Sequence, residues 1–187
     1  MPAALAATVA ACGSTAHDPS LVPVPVGHGR AFRPPSLSAA AGEGRPVGPL
    51  RCSRSAARRF GVHLEVFARG RVVVVPAGIG VTPPRRRDGA YVLGGRCHYA
   101  LVTREPTGVV EVAAGTRATL GDLFGLWGQP LSRTAVAGFD GRVRAHVGGR
   151  EWRGDPRAIP LEPHAQIVVQ VGPFIPPHAR YAFPPGL

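Results

Sequence analysis

Short valine-rich runs closed by Gly and Pro turns constrain the fold of this chain most strongly. The clearest case is ALVTREPTGVVEV, residues 100–112, where two valine-rich runs flank the turn sequence EPTG. It predicts a β-hairpin of residues 97–104 with 107–112. The segment VHLEVFA, 62–68, alternates apolar and polar residues and continues through Arg69-Gly70 into RVVVVPAGIGV, 71–81. Its apolar run from Val72 to Val75 predicts a strand that is buried on both faces.

One helix is predicted, over TLGDLFGLW, residues 119–127. Thr119 is a typical N-cap and Asp122 completes a capping box. The apolar residues recur at i, i+3, i+4 and i+7, which places them on one face of a helix; they are Leu120, Leu123, Phe124 and Trp127. Gly128 and Pro130 are typical of its end. Packing must hold this helix, because Gly121 and Gly125 weaken it.

The rest of the domain also reads as strands and turns. RVRAHVGGREWRG predicts a hairpin with a Gly148-Gly149 turn, and HAQIVVQVG, 164–172, predicts a last strand. Residues 82–96 are expected to form an exposed loop, and the tail PFIPPHARYAFPPGL an extended surface segment. The predicted fold class is α+β, with one helix across a small mixed sheet.

The charge of the chain limits its partners. The net charge is +11, and all 22 basic residues are Arg, with no Lys and no Asn, a bias typical of a GC-rich genome. Nucleic-acid binding would need clustered Arg with interleaved aromatics. Here Arg is scattered apart from Arg58-Arg59 and the run 85–87, so no nucleic-acid partner is expected. Attraction to an anionic wall component or to lipid headgroups fits better.

The start of the chain resembles a lipoprotein signal of actinobacterial type. Residues 1–12 are small and apolar and end in Val9-Ala10-Ala11-Cys12, as in a lipobox, where the Cys takes the lipid. We interpret 1–11 as a signal-peptide remnant and Cys12 as the lipidation site. No basic residue precedes Cys12, so an Ala-rich disordered start is the alternative.

The chain from Cys12 to Ala57 is expected to be a flexible, lipidated linker, and residues 58–187 the globular domain. Of the 187 residues, 25 are Gly and 21 are Pro, and the linker segment is rich in both without a period of 2 or 3.6. Such composition buries too little apolar surface to offset chain entropy. No stretch reaches the roughly 20 apolar residues of a spanning helix. The expected location is therefore the outer face of the cell membrane.

Two cysteines remain, Cys52 and Cys97. In an exported protein two such residues most often pair, so the sequence predicts a disulfide. A metal thiolate pair and buried free thiols are the alternatives. Such a bond would join the end of the predicted linker to the domain.

A family resemblance covers about residues 58–187. The motifs VPAGIG, EPTGVVEV, TLGDLFGLWGQPL and GDPRAIPL resemble a family of exported, largely uncharacterised bacterial and archaeal proteins. The helix TLGDL, the following hairpin and the last strand resemble a β-grasp arrangement. The family has no settled activity to carry over, so the resemblance implies a fold and a location.

The same resemblance raises a metal-binding alternative. Members of this family are rich in His before the first strand and in the hairpin, as suits Cu or Zn. Here the hairpin reads VTRE, and Glu111 stands where a His would be. Val and Arg cannot replace imidazole as ligands. The implied ligand set is reduced to His63 with His98 or His146.

The remaining candidates favour structural roles. Arg104 is placed to neutralise Glu111 across the hairpin; the alternative is a carboxylate pair of Glu65 with Glu111. Ser132 lies outside any Gly-x-Ser-x-Gly setting, so a hydrolase using Ser132 or Glu111 is the weakest hypothesis. No phosphate loop is present, and no cofactor is expected. The leading prediction is a non-enzymatic, lipid-anchored module that binds an envelope protein or an anionic wall component.

Overall fold

A computed structural model describes residues 27–35, 37–55 and 57–187. The predicted signal-peptide remnant, 1–11, and the lipidation site Cys12 lie outside these residues. The described elements follow one another along the chain. They are α1 (Ala39–Glu43), β1 (Arg59–Ala68), β2 (Arg71–Val73), β3 (Arg86–Asp88), β4 (Tyr91–Gly94), β5 (Leu101–Val102), β6 (Val109–Ala113), α2 (Leu120–Trp127), β7 (Ala135–Val136), β8 (Phe139–Asp140), β9 (Val143–Val147), β10 (Arg150–Trp152), a 3₁₀ turn (Pro156–Ala158) and β11 (Gln166–Val171).

The central sheet is mixed, and its first and last strands lie side by side. Among the described residues the sheet has seven strands. Six follow the order β10-β9-β11-β1-β6-β5, and β2 pairs with the C-terminal end of β1, residues 66–68. β1 and β11 are parallel, with His63 opposite Gln166. β6 and β2 are antiparallel to β1, and β9 is antiparallel to β11. The predicted α+β class is confirmed.

The hydrophobic core lies between one face of the sheet and α2. Val62, Leu64 and Val66 of β1 point into it, because alternate residues of a strand share a face. α2 buries its apolar side there, and Trp127 is fully buried. The predicted capping box is present: Asp122 Oδ2 accepts from Thr119 N at 2.9 Å, and the Thr119 hydroxyl accepts from Asp122 N. Gly128 ends the helix with φ +74°.

The expected linker boundary differs from the structure. From Gly27 the chain packs along the domain: Phe32 bridges to Val73, and the carbonyl of Pro35 accepts the Trp127 indole N–H at 2.8 Å. α1 follows, and its Ala41 is fully buried beside α2. The buried indole needs an acceptor, and this segment supplies it. The composition of residues 27–57 therefore did not reveal their packing.

Two local predictions also need correction. The expected strand over 72–75, buried on both faces, is only three residues long, Arg71–Val73, and Val72 and Val74 are half-buried. The N-terminal segment lies beside it and bonds Val74 N to Phe32 O. The expected loop 82–96 contains the β3–β4 hairpin, whose Val92 is fully buried. Because the hairpin buries only one large apolar side chain, its sequence has no alternating pattern from which two strands could be predicted.

The other two hairpins and the last strand are confirmed in position, but the strand predicted over 97–104 is only Leu101–Val102. β5 pairs with β6 across the EPTG turn, where Gly108 has φ +86°. β9 pairs with β10 across Gly148-Gly149, and β11 follows at the predicted place. Among the described residues no helix has the length and apolarity to cross a membrane.

Candidate functional site

The second face of the sheet carries buried polar side chains and is covered by the C-terminal tail. His63 and Glu65 alternate with the core residues of β1 and therefore point to this face, as Gln166 and Gln170 of β11 do. The tail is bonded to it: Ile175 N donates to Gln170 Oε1 at 2.7 Å, and Gln170 Nε2 donates to Ile175 O at 2.9 Å. The tail is extended, as predicted, and it covers the second face of the sheet.

A hydrogen-bonded chain runs across this face. Glu65 accepts from His178 Nδ1 at 2.8 Å and from Gln166 Nε2 at 3.1 Å. Since a carboxylate only accepts, the Gln166 amide must present its oxygen to His63, at 2.7 Å from Nδ1. His63 Nε2 faces the carbonyl of Thr107 at 3.0 Å. Both ring nitrogens of His63 therefore face acceptors.

The environment of His63 lowers its pKa overall. Burial lowers the pKa of His63, and the hydrogen bonds to Gln166 and Thr107 oppose that shift. Tyr181 of the tail stacks on its ring, with centroids 3.7 Å apart. His63 is thus held on both nitrogens and on one ring face, which suits a positioning role better than metal ligation.

Glu111 lies at the base of the β5–β6 hairpin between two arginines. Arg104 Nε is 2.9 Å from Glu111 Oε1, which confirms the predicted ion pair, and Arg59 Nε is 3.9 Å from Oε2. Arg104 also donates to the carbonyls of Val92 and Leu93. The alternative pair of Glu65 with Glu111 does not form, since Glu65 binds His178 and Gln166 instead.

A cavity of about 440 Å³ opens between this hairpin and the end of the tail. It is lined by Tyr91 and Arg104, by Val109 and Glu111 of β6, and by Tyr181 and the segment 184–187 of the tail. Its volume falls within the range of small-ligand sites. Thr107 and Glu105 add polar groups at the turn, so the cavity combines aromatic faces, donors and acceptors.

The three candidate metal ligands are placed separately. His63 lies on β1 and His146 on β9, with β11 between them, and His98 lies outside the sheet, bridged to Ser53 and Val81. Within the described part of the chain, no three His, Cys, Asp or Glu residues converge as a metal site would require. His98 Nε2 and His146 Nδ1 are buried without a hydrogen-bond partner. Burial lowers the pKa of both rings.

The predicted disulfide is present. Cys52 and Cys97 are bonded, with their Cα atoms 5.7 Å apart and a sequence separation of 45. Thr82 lies against both sulfurs and donates its hydroxyl to Ala41 O at 3.1 Å. The bond therefore ties the segment after α1 to the domain at a half-buried position.

Sequence reasoning missed the tail residues of the site, His178 and Tyr181. The sequence signal that could have identified them is the presence of a His and a Tyr in a Pro-rich tail, because a solvated tail does not require aromatic side chains. Ser132, the candidate nucleophile, lies in a loop, where its hydroxyl accepts from Thr134 N at 3.1 Å.

Comparison of the chain with family models, with curated proteins and with solved structures gives no match.

Proposed function

We propose that this chain is a non-enzymatic binding module, held on the outer face of the cell membrane by a lipid on Cys12. The observation that carries the binding role is the cavity between the β5–β6 hairpin and the tail. The negative charge of Glu111 in this cavity is already neutralised, because Glu111 is paired with Arg104 and has Arg59 nearby. A carboxylate that is already paired with an arginine can orient a ligand but is poorly suited to act as a general base, which favours binding over turnover at Glu111.

The proposed location is supported by the disulfide. Disulfides persist in oxidising compartments and are rare in the cytosol. Cys52–Cys97 joins the N-terminal segment to the domain, so an anchor at Cys12 would be coupled to a rigid body. The net charge of +11 favours an anionic wall component, with an envelope protein as the other candidate partner.

We also propose that the domain is β-grasp-like and belongs to the exported family that its motifs resemble. Support comes from the strand order, in which the first and last strands are parallel neighbours in the centre. The β5–β6 hairpin lies beside β1, the β9–β10 hairpin lies beside β11, and α2 lies between the two hairpins in the chain. This is the arrangement that the helix and last-strand motifs predict.

Two measurements test this function. The gene is expressed with its upstream DNA in a related host, membranes are fractionated, and the intact mass is taken without reductant. We expect a membrane-bound chain that begins at lipid-modified Cys12 and is two hydrogens lighter than the dithiol form. An unlipidated cytosolic chain with free thiols would overturn the location.

The binding role is tested with a membrane-free wall fraction. Tyr91→Ala removes an aromatic side chain that lines the cavity. Phe174→Ala is the matched control, because Phe174 does not line the cavity and is the most exposed large apolar side chain of the described residues. We expect a severalfold loss of binding for Tyr91→Ala alone. Equal binding of both variants and the wild type would contradict the cavity as the binding site.

The alternative of a Cu or Zn protein is favoured by one observation, the unpartnered ring nitrogens of His98 and His146. Metal titration followed by ultraviolet absorbance or Trp fluorescence tests it. A saturable change that is lost in His98→Ala or in His146→Ala would support metal binding at that ring, and no change on titration would remove the alternative.

A further inference from the structure

Four arginines line another cavity, at the end of the sheet where β1 and β11 end. Val143 of β9 is opposite Val171 there, and Val171 is opposite Ala68. This cavity has a volume of about 370 Å³ and shares no lining residue with the cavity beside the β5–β6 hairpin. Its charged lining residues give a formal charge of +3; they are Arg133, Arg142, Arg144, Glu151 and Arg153. We call the four arginines the arginine cluster.

The β7–β8 hairpin holds two members of the arginine cluster side by side. Beyond its strands the backbone remains paired, since Gly141 N donates to Thr134 O at 2.8 Å and Val143 N donates to Arg133 O at 2.9 Å. Arg142 therefore lies across from Arg133. Both arginines are exposed, and within the described part of the chain neither guanidinium group has a hydrogen bond or an ion pair. The backbone thus holds two cationic groups together, and both can bind an anion.

The β9–β10 hairpin supplies the other two arginines. Trp152 is opposite Ala145, so the next residues of the two strands, Arg153 and Arg144, are also neighbours. Arg144 donates one hydrogen bond to a backbone carbonyl at 3.1 Å, which fixes its position. Arg153 is 91% exposed and approaches Glu151 only to 4.0 Å. Because such an exposed ion pair is weak, it leaves the donors of Arg153 to a ligand.

Trp152 forms a fixed wall of the same cavity. Its ring packs against the hydrophobic core, and its indole N–H donates to Asp155 O at 3.0 Å. Gly154 lies against the ring, where a Cβ would be 2.9 Å from the indole nitrogen. Since the indole N–H is already bonded, the side-chain donors that this cavity offers to a ligand come from its arginines. The cavity is therefore preorganised for an anion.

The guanidinium groups define the class of ligand. They match phosphate oxygens in geometry and bind them with charge-assisted hydrogen bonds. A single exposed contact of this kind is weak, because water and salt screen it. A polymer with regularly spaced phosphates presents several such groups to one cluster at a high effective concentration.

We propose that the arginine cluster binds the phosphates of a wall polymer whose units are joined by phosphodiester bonds. The net charge of +11 favours such a partner over a neutral one. This proposal rests on the binding role and the outer location proposed above, and it names the chemical class of their anionic wall component. The arginines are far apart in sequence, so only the two hairpins reveal that they form one site.

The test titrates poly(glycerol phosphate) into the full chain, which carries Cys12→Ser and has its disulfide formed, and follows binding by isothermal titration calorimetry. We expect saturable binding that weakens as the salt concentration rises. Arg133→Gln/Arg142→Gln should lower the affinity roughly 30-fold, because hydrogen bonds between charged groups are the stronger ones.

Arg58→Gln/Arg117→Gln is the matched control. It removes the same charge from two exposed positions that do not line the cavity of the arginine cluster. Arg58 precedes the start of β1, whereas the arginine cluster lies at the other end of that strand. The control should retain most of the affinity.

The outcomes separate the proposals. No binding of poly(glycerol phosphate), or an equal loss in both double variants, would overturn the arginine cluster as a phosphate site. Equal affinity for polygalacturonate, which carries carboxylates, would overturn the phosphate assignment and identify a general polyanion surface. Tighter binding of oligothymidylate would overturn the wall polymer and identify a nucleic-acid surface. The titration uses neither a wall fraction nor the lipid, so a failure of the Tyr91 cavity or of the anchor is distinguishable from a failure of the arginine cluster.

Discussion

Glu111 sets the charge balance at the base of the β5–β6 hairpin. Here a carboxylate is enclosed by Arg104 and Arg59, and its side chain is only 12% exposed. The pair is therefore desolvated enough to matter for stability, unlike a solvent-exposed ion pair.

A double-mutant cycle on Arg104→Gln and Glu111→Gln measures this coupling. We expect a coupling energy of roughly 0.5–3 kcal/mol, because removal of Glu111 leaves two half-buried guanidinium groups without their shared carboxylate. The free energy of unfolding in urea is the measurement. The exposed pair Arg153–Glu151 is the matched control and should show coupling near zero. Equal couplings for both pairs would contradict the buried role of Glu111.

The buried histidines predict a dependence of stability on pH. Burial lowers the pKa of His146, so the unfolded chain binds a proton before the folded chain does as pH falls below about 6.5. The free energy of unfolding should therefore fall as pH decreases through this range. His146→Leu removes this site, so its unfolding free energy should change less between about pH 7 and pH 5. An identical pH slope in the variant and the wild type would show that His146 does not contribute.

At the scale of elements, α2 depends on its ends and its packing. Gly121 and Gly125 lower its intrinsic helix propensity. Gly121 allows a close approach of α2 to the 3₁₀ turn, since a Cβ there would lie only 3.0 Å from the carbonyl oxygen of Arg157. The Thr119 cap therefore contributes a larger share of the stability of this helix than a cap does in an Ala-rich one.

Thr119→Ala should lower the free energy of unfolding by about 1 kcal/mol. It removes the hydroxyl that accepts from Asp122 N and bonds the Asp122 carboxylate at 3.0 Å. Thr116→Ala, in the loop before the helix, is the control. Equilibrium urea unfolding by circular dichroism measures both variants. A loss for Thr116→Ala as large as that for Thr119→Ala would mean that the effect does not arise from the cap.

At the scale of the whole molecule, the sheet is enclosed from both sides by chain segments that carry little regular structure. The N-terminal segment and α1 pack beside α2 and the β2 edge, and the tail covers the polar face. The disulfide links the first of these to the domain. The return of the tail across the sheet also closes the cavity against the β5–β6 hairpin.

Replacing both cysteines in Cys52→Ala/Cys97→Ala should lower the free energy of unfolding by about 4 kcal/mol, because the bond closes a loop of 45 residues in the unfolded chain. The comparison is made in a Cys12→Ser background by urea unfolding at fixed pH. The Cys12→Ser chain with the bond intact is the reference. Reduction of that reference should reproduce the loss, and an unchanged midpoint on reduction would contradict a stabilising disulfide.

The sequence alone determined the elements whose signals are local. Period-2 alternation predicted β1 and the two main hairpins, and the capping box and apolar spacing predicted α2. Opposite charges across one hairpin predicted Arg104–Glu111, and the cysteine count in a chain with an export-like start predicted the disulfide. Each of these rests on neighbouring residues, on a single cross-strand pair or on composition.

Only the tertiary structure decided how the segments without a period are used. Glu65 and His178 are 113 residues apart and meet because β1 lies in the middle of the sheet and the tail returns across it. The hydrogen bond from the Trp127 indole to the carbonyl of Pro35 likewise depends on which surfaces remain after the core has formed. Pro- and Gly-rich segments bury their groups through single contacts with a distant surface, and such contacts leave no periodic pattern in the sequence.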